Sequence, residues 1–302
     1  MPTTIRAFDG SLDDAEGLLM VEAATFNESP YSPHEVRGML TAGPQHAWLA
    51  LGDGEVVGFV IGFLTQGLQG SCWEIDLLAV LPAWRGHGLA TRLIRTASAY
   101  GARLAPRARA VTADDNSASR HAFRRAGFFP GPDMCHLLIQ RLDGLQPRAP
   151  LTVGVTVREA TGSDELSSWL PGLQPLANSP GLSLLVAEQD GDIAGYAELI
   201  HVETLLYRGA WIESLVARSR AARAALVREV TNQALLAGLE EIGAMIPQED
   251  RGAYHALRAV GFRSLGSFQW LVADLPLPGL ASGPGDGDPS SAAAGRRDIA
   301  DD

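Results

Sequence analysis

Leu77-Leu78-Ala79-Val80-Leu81-Pro82-Ala83-Trp84-Arg85-Gly86-His87-Gly88-Leu89-Ala90-Thr91 is the stretch on which the fold turns. It opens as an unbroken apolar run of strand character and stops at a proline. Two glycines follow, and then a helical period begins. Leu89, Leu93, Ile94, Ala97 and Leu104 share one side, while Arg92, Arg95 and Arg103 share the other. A helix that starts this way exposes backbone N–H groups with no intrahelical acceptor, and its dipole leaves that end positive. Glycine clears side chains from the approach. The amides of Gly86, His87, Gly88, Leu89 and Ala90 are therefore expected to cradle a pyrophosphate, with Arg85 adding charge at the rim. The competing reading of the loop alone is a glycine turn that only lets strand and helix pack closely.

Upstream, the pattern gives a strand at 4–7, a helix at 12–26, and a second helix from Pro33 toward Leu40, with Ser32 as its cap. Strands at 46–51 and 56–64 flank the turn Gly52-Asp53-Gly54, and a third strand covers 72–80. Downstream come a strand at 108–112, a helix at 116–126 and a closing strand at 134–142. Strand alternation puts Glu74 and Asp76 on one face. Two nearby carboxylates on a partly buried face tend to raise one of the two pKa values, which suits a base that must deprotonate an ammonium. Asp76 as a polar lining residue is the alternative.

The whole pattern recurs. The run from Trp73 to Val80 is echoed from Ala210 to Ala217, that from His121 to Phe128 from His255 to Phe262, and that from Glu55 to Ile61 from Asp192 to Glu198. Three matches in one order, about 134 to 137 residues apart, indicate duplication. The expected organisation is a domain at 1–143, a linker at 144–151, a second domain at 152–275, and a disordered tail at 276–302 rich in Gly, Pro, Ser, Ala and Asp. In place of the glycine loop the second copy has Arg218-Ser219-Arg220-Ala221-Ala222-Arg223, whose methyl groups would obstruct a phosphate, while Glu213 stands where the first copy has Asp76. The second copy is expected to keep the fold, to lose the cofactor, and to brace the first copy or complete its acceptor cleft.

Composition narrows the function classes. A chain of 302 residues suits two domains, and 46% hydrophobic with 20% charged residues is a globular balance. No apolar run is long enough for a membrane helix, and the first residues lack a basic-then-apolar leader, so a cytoplasmic setting is expected. Cys72 and Cys135 form no CxxC pair or Cys/His cluster, so neither a disulfide framework nor a metal site is expected. The net charge is -11, every basic residue is arginine, and no basic stretch is interleaved with aromatics. That balance disfavours nucleic acid and mildly favours a cationic acceptor.

Arg85-Gly86-His87-Gly88-Leu89-Ala90, read as R-x-x-G-x-A, resembles the Q/R-x-x-G-x-G/A signature of GNAT acetyltransferases. The stretch from Asn116 to Gly127-Phe128 resembles that family's N-x-x-A-x-x-x-Y-x-x-x-G-F helix. The resemblance implies an α/β architecture of two tandem GNAT folds, each a central mixed sheet flanked by helices. It implies acetyl-CoA as acyl donor and no metal. Leu78, Val80, Arg85, Gly86, His87, Gly88, Leu89, Ala90, Thr91, Asn116 and Phe123 are then the cofactor-binding positions. Asp76, with Glu74 beside it, is the candidate catalytic base, acting directly or through water. Asn116 reads equally as a helix cap. The family often has a tyrosine at the position of Phe123, which has no proton to give a leaving thiolate.

In this family the region between the first two helices lines the acceptor site. Here it runs from Phe26 to His34 and is similar to the F-P-W-S stretch of ribosomal-protein alanine acetyltransferases, which makes Glu28, Tyr31 and His34 candidate acceptor contacts. The tandem organisation resembles mycothiol synthases, in which the C-terminal copy is the catalytic one, whereas here the N-terminal copy keeps the motif. The expected activity is acetyl transfer to an amine, either a small molecule or a peptide N-terminus, in a ternary complex. The expected state is a monomer or homodimer with no nucleic-acid or membrane partner. The rival expectation, prompted by Phe123 and the altered second copy, is a non-catalytic acyl-CoA sensor or scaffold.

Overall fold

Serine caps and glycine turns delimit the elements. Ser11 accepts the Asp14 N–H to start one helix, and Ser32 forms a reciprocal capping box with Glu35 behind Pro33 to start the next. Asp53-Gly54 and Asp190-Gly191 have equivalent left-handed φ values (53° and 90°, 56° and 91°), as tight hairpin turns require. The computed structural model describes residues 2–26, 30–149, 154–161, 164, 166, 169, 181–205 and 207–276. The candidate contact Glu28, the linker's end and second-domain start at 150–153, and the tail from 277 onward lie outside the described residues.

The first copy comprises β1 (Thr3–Ala7), α1 (Leu12–Thr25), α2 (Pro33–Ala42), β2 (Gln45–Gly52), β3 (Glu55–Gly67), β4 (Gly70–Val80), a single 3-10 turn (Pro82–Trp84), α3 (Leu89–Gly101), β5 (Arg107–Ala113), α4 (Ser117–Ala126) and β6 (Phe129–Arg141). The second comprises β7 (Val155–Glu159), β8 (Leu182–Gln189), β9 (Asp192–Glu203), β10 (Arg208–Ala217), α5 (Arg220–Leu236), β11 (Glu241–Pro247), α6 (Arg251–Val260) and β12 (Arg263–Asp274). Strand β6 begins earlier than its sequence suggests, because Pro130, Gly131 and Pro132 obscure the strand pattern there. No described helix is long and apolar enough to cross a membrane.

The mixed sheets of the two copies merge into one, in the order β1-β2-β3-β4-β5-β12-β6-β11-β10-β9-β8-β7. Among the described strand pairs only β4–β5 and β10–β11 are parallel. The closing strands are exchanged. Strand β12 of the second copy lies against β5 of the first, β6 of the first lies against β11 of the second, and the two exchanged strands pair at the centre. Each copy's core therefore contains residues of the other. Leu271 of β12 packs with Leu93, Ile94 and Phe128 under α3 and α4, and Leu138 of β6 packs with Leu226, Val230 and Phe262 under α5 and α6.

The opposite sheet face carries a second exchange. Leu68, in the β3–β4 turn, is buried against Leu184, Val186 and Tyr196 of the second copy. Leu205, in the β9–β10 turn, is buried with Leu18, Val36 and Phe59 beneath α1 and α2 of the first. The Leu68 N–H donates to Glu198 Oε1 at 2.7 Å, and the Leu205 N–H donates to Gln45 Oε1 at 3.0 Å. These reciprocal plugs draw the two halves together on the face opposite α3.

Candidate functional site

The glycine loop has the geometry of an anion cradle. Gly86 and Gly88 sit at φ 80° and 74°, in the left-handed region that disfavours side chains. An added Cβ at either would meet nothing within 4 Å, so close packing does not account for these glycines. Gly88 occupies the N-cap of α3 and has no side chain to cap it, and Arg92 makes the first helical bond back to Gly88 O. Among the described residues the amides from 86 to 91 have no protein acceptor. Arg85 Nε donates to Val80 O at 2.9 Å, which holds the guanidinium beside the loop. The preceding turn is anchored by Trp84, whose ring lies over Gly52, where any Cβ would overlap it.

Strands β4 and β5 pair only where Cys72–Ile75 faces Arg107–Ala110. Beyond that the strands part, and the opening runs toward the glycine loop. Asp76 stands at the start of the opening, at a bulge: β3 residue Ile61 faces Leu77 and Gly62 faces Ile75, so Asp76 has no partner in the register. Bulges re-aim side chains in this way. The Asp76 side chain opens onto a cavity of about 570 Å³ built from both copies. It has a long contact of 3.5 Å from Gln45 Nε2 and a hydrogen bond with Thr204 of the β9–β10 turn. Asp76 is accessible, but to a cleft floor rather than to open water. The lost hydration pushes its carboxyl up to about 6.

Glu74 is also in this cavity but is already engaged. Its Oε1 accepts from Thr65 Oγ1 at 2.6 Å and from Arg109 Nε at 2.7 Å. Burial pushes Glu74 up to about 7, with Arg109 opposing. Lost hydration, not repulsion between the two carboxylates as the sequence suggested, is thus the main cause of both shifts.

The other sequence candidates divide. Ala90 is half-buried at the loop and His87 is exposed there, while Leu78 and Val80 are on the freed part of β4. Leu89, Thr91 and Phe123 turn their side chains into the core, with the Thr91 hydroxyl donating to Ala122 O at 3.3 Å. Phe123 packs edge-on against Phe128 at 5.1 Å and is buried. Asn116 accepts the Ser119 N–H at 3.0 Å and caps α4. Asp250 caps α6 with nearly the same dihedrals (−80°, 70° against −79°, 69°), so capping accounts for Asn116. Tyr31 is half-buried and His34 exposed, and neither lines the cavity.

The sequence reading missed Arg109. Its NH1 and NH2 reach Glu213 Oε1 and Oε2 of the second copy at 2.5 and 2.9 Å, and its guanidinium lies 4.4 Å from the Trp270 ring centroid. An arginine amid alanines in a buried strand was the available signal. Glu213 is at the β10 bulge equivalent to that of Asp76, with Ile212 facing Leu199 and Ser214 facing Glu198. The second copy has lost the loop itself, not only its glycines. Strand β10 ends at Ala217 and α5 starts at Arg220, with Ser219 accepting the Ala222 N–H at 3.0 Å. Among the described residues no His/Cys/Asp/Glu group is placed to hold a metal.

Residues 16–128 match the acetyltransferase (GNAT) family. No curated protein matches the chain. Among solved structures, a GCN5-related N-acetyltransferase from Sphaerobacter thermophilus is 22% identical, with a TM-score of 0.55 over 90% of this chain and 96% of that one. The GCN5-related glucosamine N-acetyltransferase region of a fungal multi-domain β-N-acetylglucosaminidase is 18% identical, with a TM-score of 0.56 over 90% of this chain and 38% of that one. A tandem GNAT protein from the clavulanic acid biosynthesis pathway is 14% identical, with a TM-score of 0.52 over 91% of this chain and 99% of that one. At these identities the likeness is one of fold.

Proposed function

We propose, from the match of residues 16–128 to the acetyltransferase (GNAT) family, that the chain transfers an acetyl group from acetyl-CoA to an amine, with the chemistry in the first copy alone. The observation that carries this reading is the Gly86–Gly88 loop. Its glycines answer to backbone conformation, not packing, and its amides at the head of α3 have no acceptor among the described residues. The pyrophosphate would rest on those amides beside Arg85, and the pantetheine arm would follow the freed edge of Leu78 and Val80. Bound acetyl-CoA supplies the acetyl group and the thiol that leaves.

The rest falls to the chain's own side chains. Asp76, pushed up to about 6, is mostly ionised at neutral pH yet basic enough to accept a proton from an ammonium, directly or through one water. Glu74 is held by Arg109 and Thr65 and so shapes the cleft while Asp76 takes the proton. The cavity walls fix the amine near the strand opening, and this positioning contributes much of the acceleration. The sensor reading drew on Phe123. That ring is buried against Phe128, and release of CoA with an amine separates this reading from turnover.

The test is CoA release from acetyl-CoA with a panel of primary amines, followed against pH. Activity is expected to have an acid limb with a midpoint near 6. Asp76→Asn is expected to abolish the limb and lower kcat by roughly 10²- to 10⁴-fold. An unchanged rate and profile would remove Asp76 from the base role.

A further inference from the structure

Where the first copy pairs Glu74 with Arg109 across parallel strands, the second pairs Trp211 with Gly243 at the matching register position. An indole has replaced a carboxylate, and a glycine has replaced the arginine. The exchange is sterically matched, since a Cβ on Gly243 would come within 2.8 Å of the Trp211 ring. Because the two halves enclose one space, Trp211 faces the cavity that holds Asp76.

It does not stand alone there. Trp270, on the exchanged strand β12, meets Trp211 edge-on at 6.3 Å, and Tyr207 meets it at 6.1 Å. All three rings line the cavity, and all three come from the second copy. Tyr207 is pinned, its hydroxyl donating to Ala210 O. Phe63 and Ile139 extend the apolar wall. Of the charged groups that line the cavity, Arg109 is paired with Glu74, Arg141 is 3.3 Å from Glu241, and Arg263 is a largely exposed cation. Asp76 is the carboxylate there that has no arginine.

A cavity with one available carboxylate at its floor and a rigid aromatic wall selects for shape as well as charge. The ammonium is drawn to Asp76, and a planar apolar body gains both burial and edge-to-face contact on the indoles. We propose that the acceptor is a primary amine carried on an aromatic or similarly flat apolar body, and that the second copy serves as its specificity wall. This rests on the acetyltransferase reading above.

The experiment compares acetylation of 2-phenylethylamine and ethanolamine by the full chain, with acetyl-CoA affinity measured separately by calorimetry. The expected result is a kcat/KM at least about tenfold higher for phenylethylamine, the scale set by burying one ring. Trp211→Ala is expected to remove most of that preference through KM while the acetyl-CoA Kd stays as in the native chain. Trp211→Phe guards against a folding failure and is expected to keep most of the preference. Equal or better use of ethanolamine, or acetyl-CoA binding without turnover of either amine, would overturn the acceptor class and leave cofactor binding standing. Loss of preference in neither Trp211 variant would overturn the role of the second copy. Absence of acetyl-CoA binding would instead overturn the acetyltransferase reading itself.

Discussion

The two copies share a strand frame and differ at two places within it, and under the proposed function those two places set which copy does the chemistry. After β4 the chain makes a 3-10 turn and a glycine loop before α3, whereas after β10 it enters α5 almost at once under a serine cap. At the bulge, Asp76 opens onto the shared cavity, whereas Glu213 is clasped by Arg109 from the other copy. One copy has free amides and an available carboxylate. The other has a self-capped helix and a neutralised carboxylate. The frame, the αL helix ends at Gly127 and Gly261, and the caps at Asn116 and Asp250 are kept in both. Duplication thus preserves what folding needs and leaves the ligand-facing positions free to diverge.

Four experiments would break or sharpen this contrast. Asp76→Asn and Glu213→Gln make the largest test. The first is expected to lower turnover by roughly 10²- to 10⁴-fold, and the second to keep the acid limb near pH 6, since it leaves Asp76 in place. Equal losses would mean the two carboxylates are not functionally distinct. Next, Arg109→Met strands Glu74 and Glu213 without their cation and is expected to cost about 3–5 kcal/mol in urea unfolding. The loss should grow as pH rises through about 7, where Glu74 must ionise without its cation, and Glu74→Gln in the same chain should return part of it.

The leucine plugs are expected to behave alike. Leu68→Ala and Leu205→Ala should each destabilise by about 2–5 kcal/mol, the cost of a truncated buried leucine. Only Leu205→Ala should also raise the acceptor KM, because its turn supplies Thr204 to Asp76. Smallest are the caps. Asn116→Ala and Asp250→Ala should each cost about 1 kcal/mol and leave acetyl-CoA affinity as it was. A marked affinity loss for Asn116→Ala alone would show that it meets the cofactor as well.

Much of this was legible in the chain because it is local. The helix starts at Ser11 and Ser32-Pro33, the hairpin at Asp53-Gly54, and the glycine loop each follow from a few adjacent residues. The repeat made Glu213 the counterpart of Asp76, and the matching bulges agree with that pairing. What could not be read is non-local. The Arg109–Glu213 pair joins residues 104 apart in sequence, and the Leu68–Glu198 bond joins residues 130 apart. Exchange of β6 with β12 was also hidden, since a closing strand carries the same alternation whichever sheet half it joins. Glu74 and Asp76 looked like a pair by alternation, but the bulge separates their environments: Glu74 is buried, Asp76 opens onto the cleft, and lost hydration raises each carboxyl separately.

The most direct measurement is calorimetric titration of the full chain with acetyl-CoA, beside Gly88→Trp and Ala221→Trp. Both substitutions are at exposed positions, one in the first copy's loop and the other at the start of α5. The account predicts one acetyl-CoA per chain, abolished by Gly88→Trp and untouched by Ala221→Trp. Two sites per chain, or a single site that survives Gly88→Trp, would contradict it.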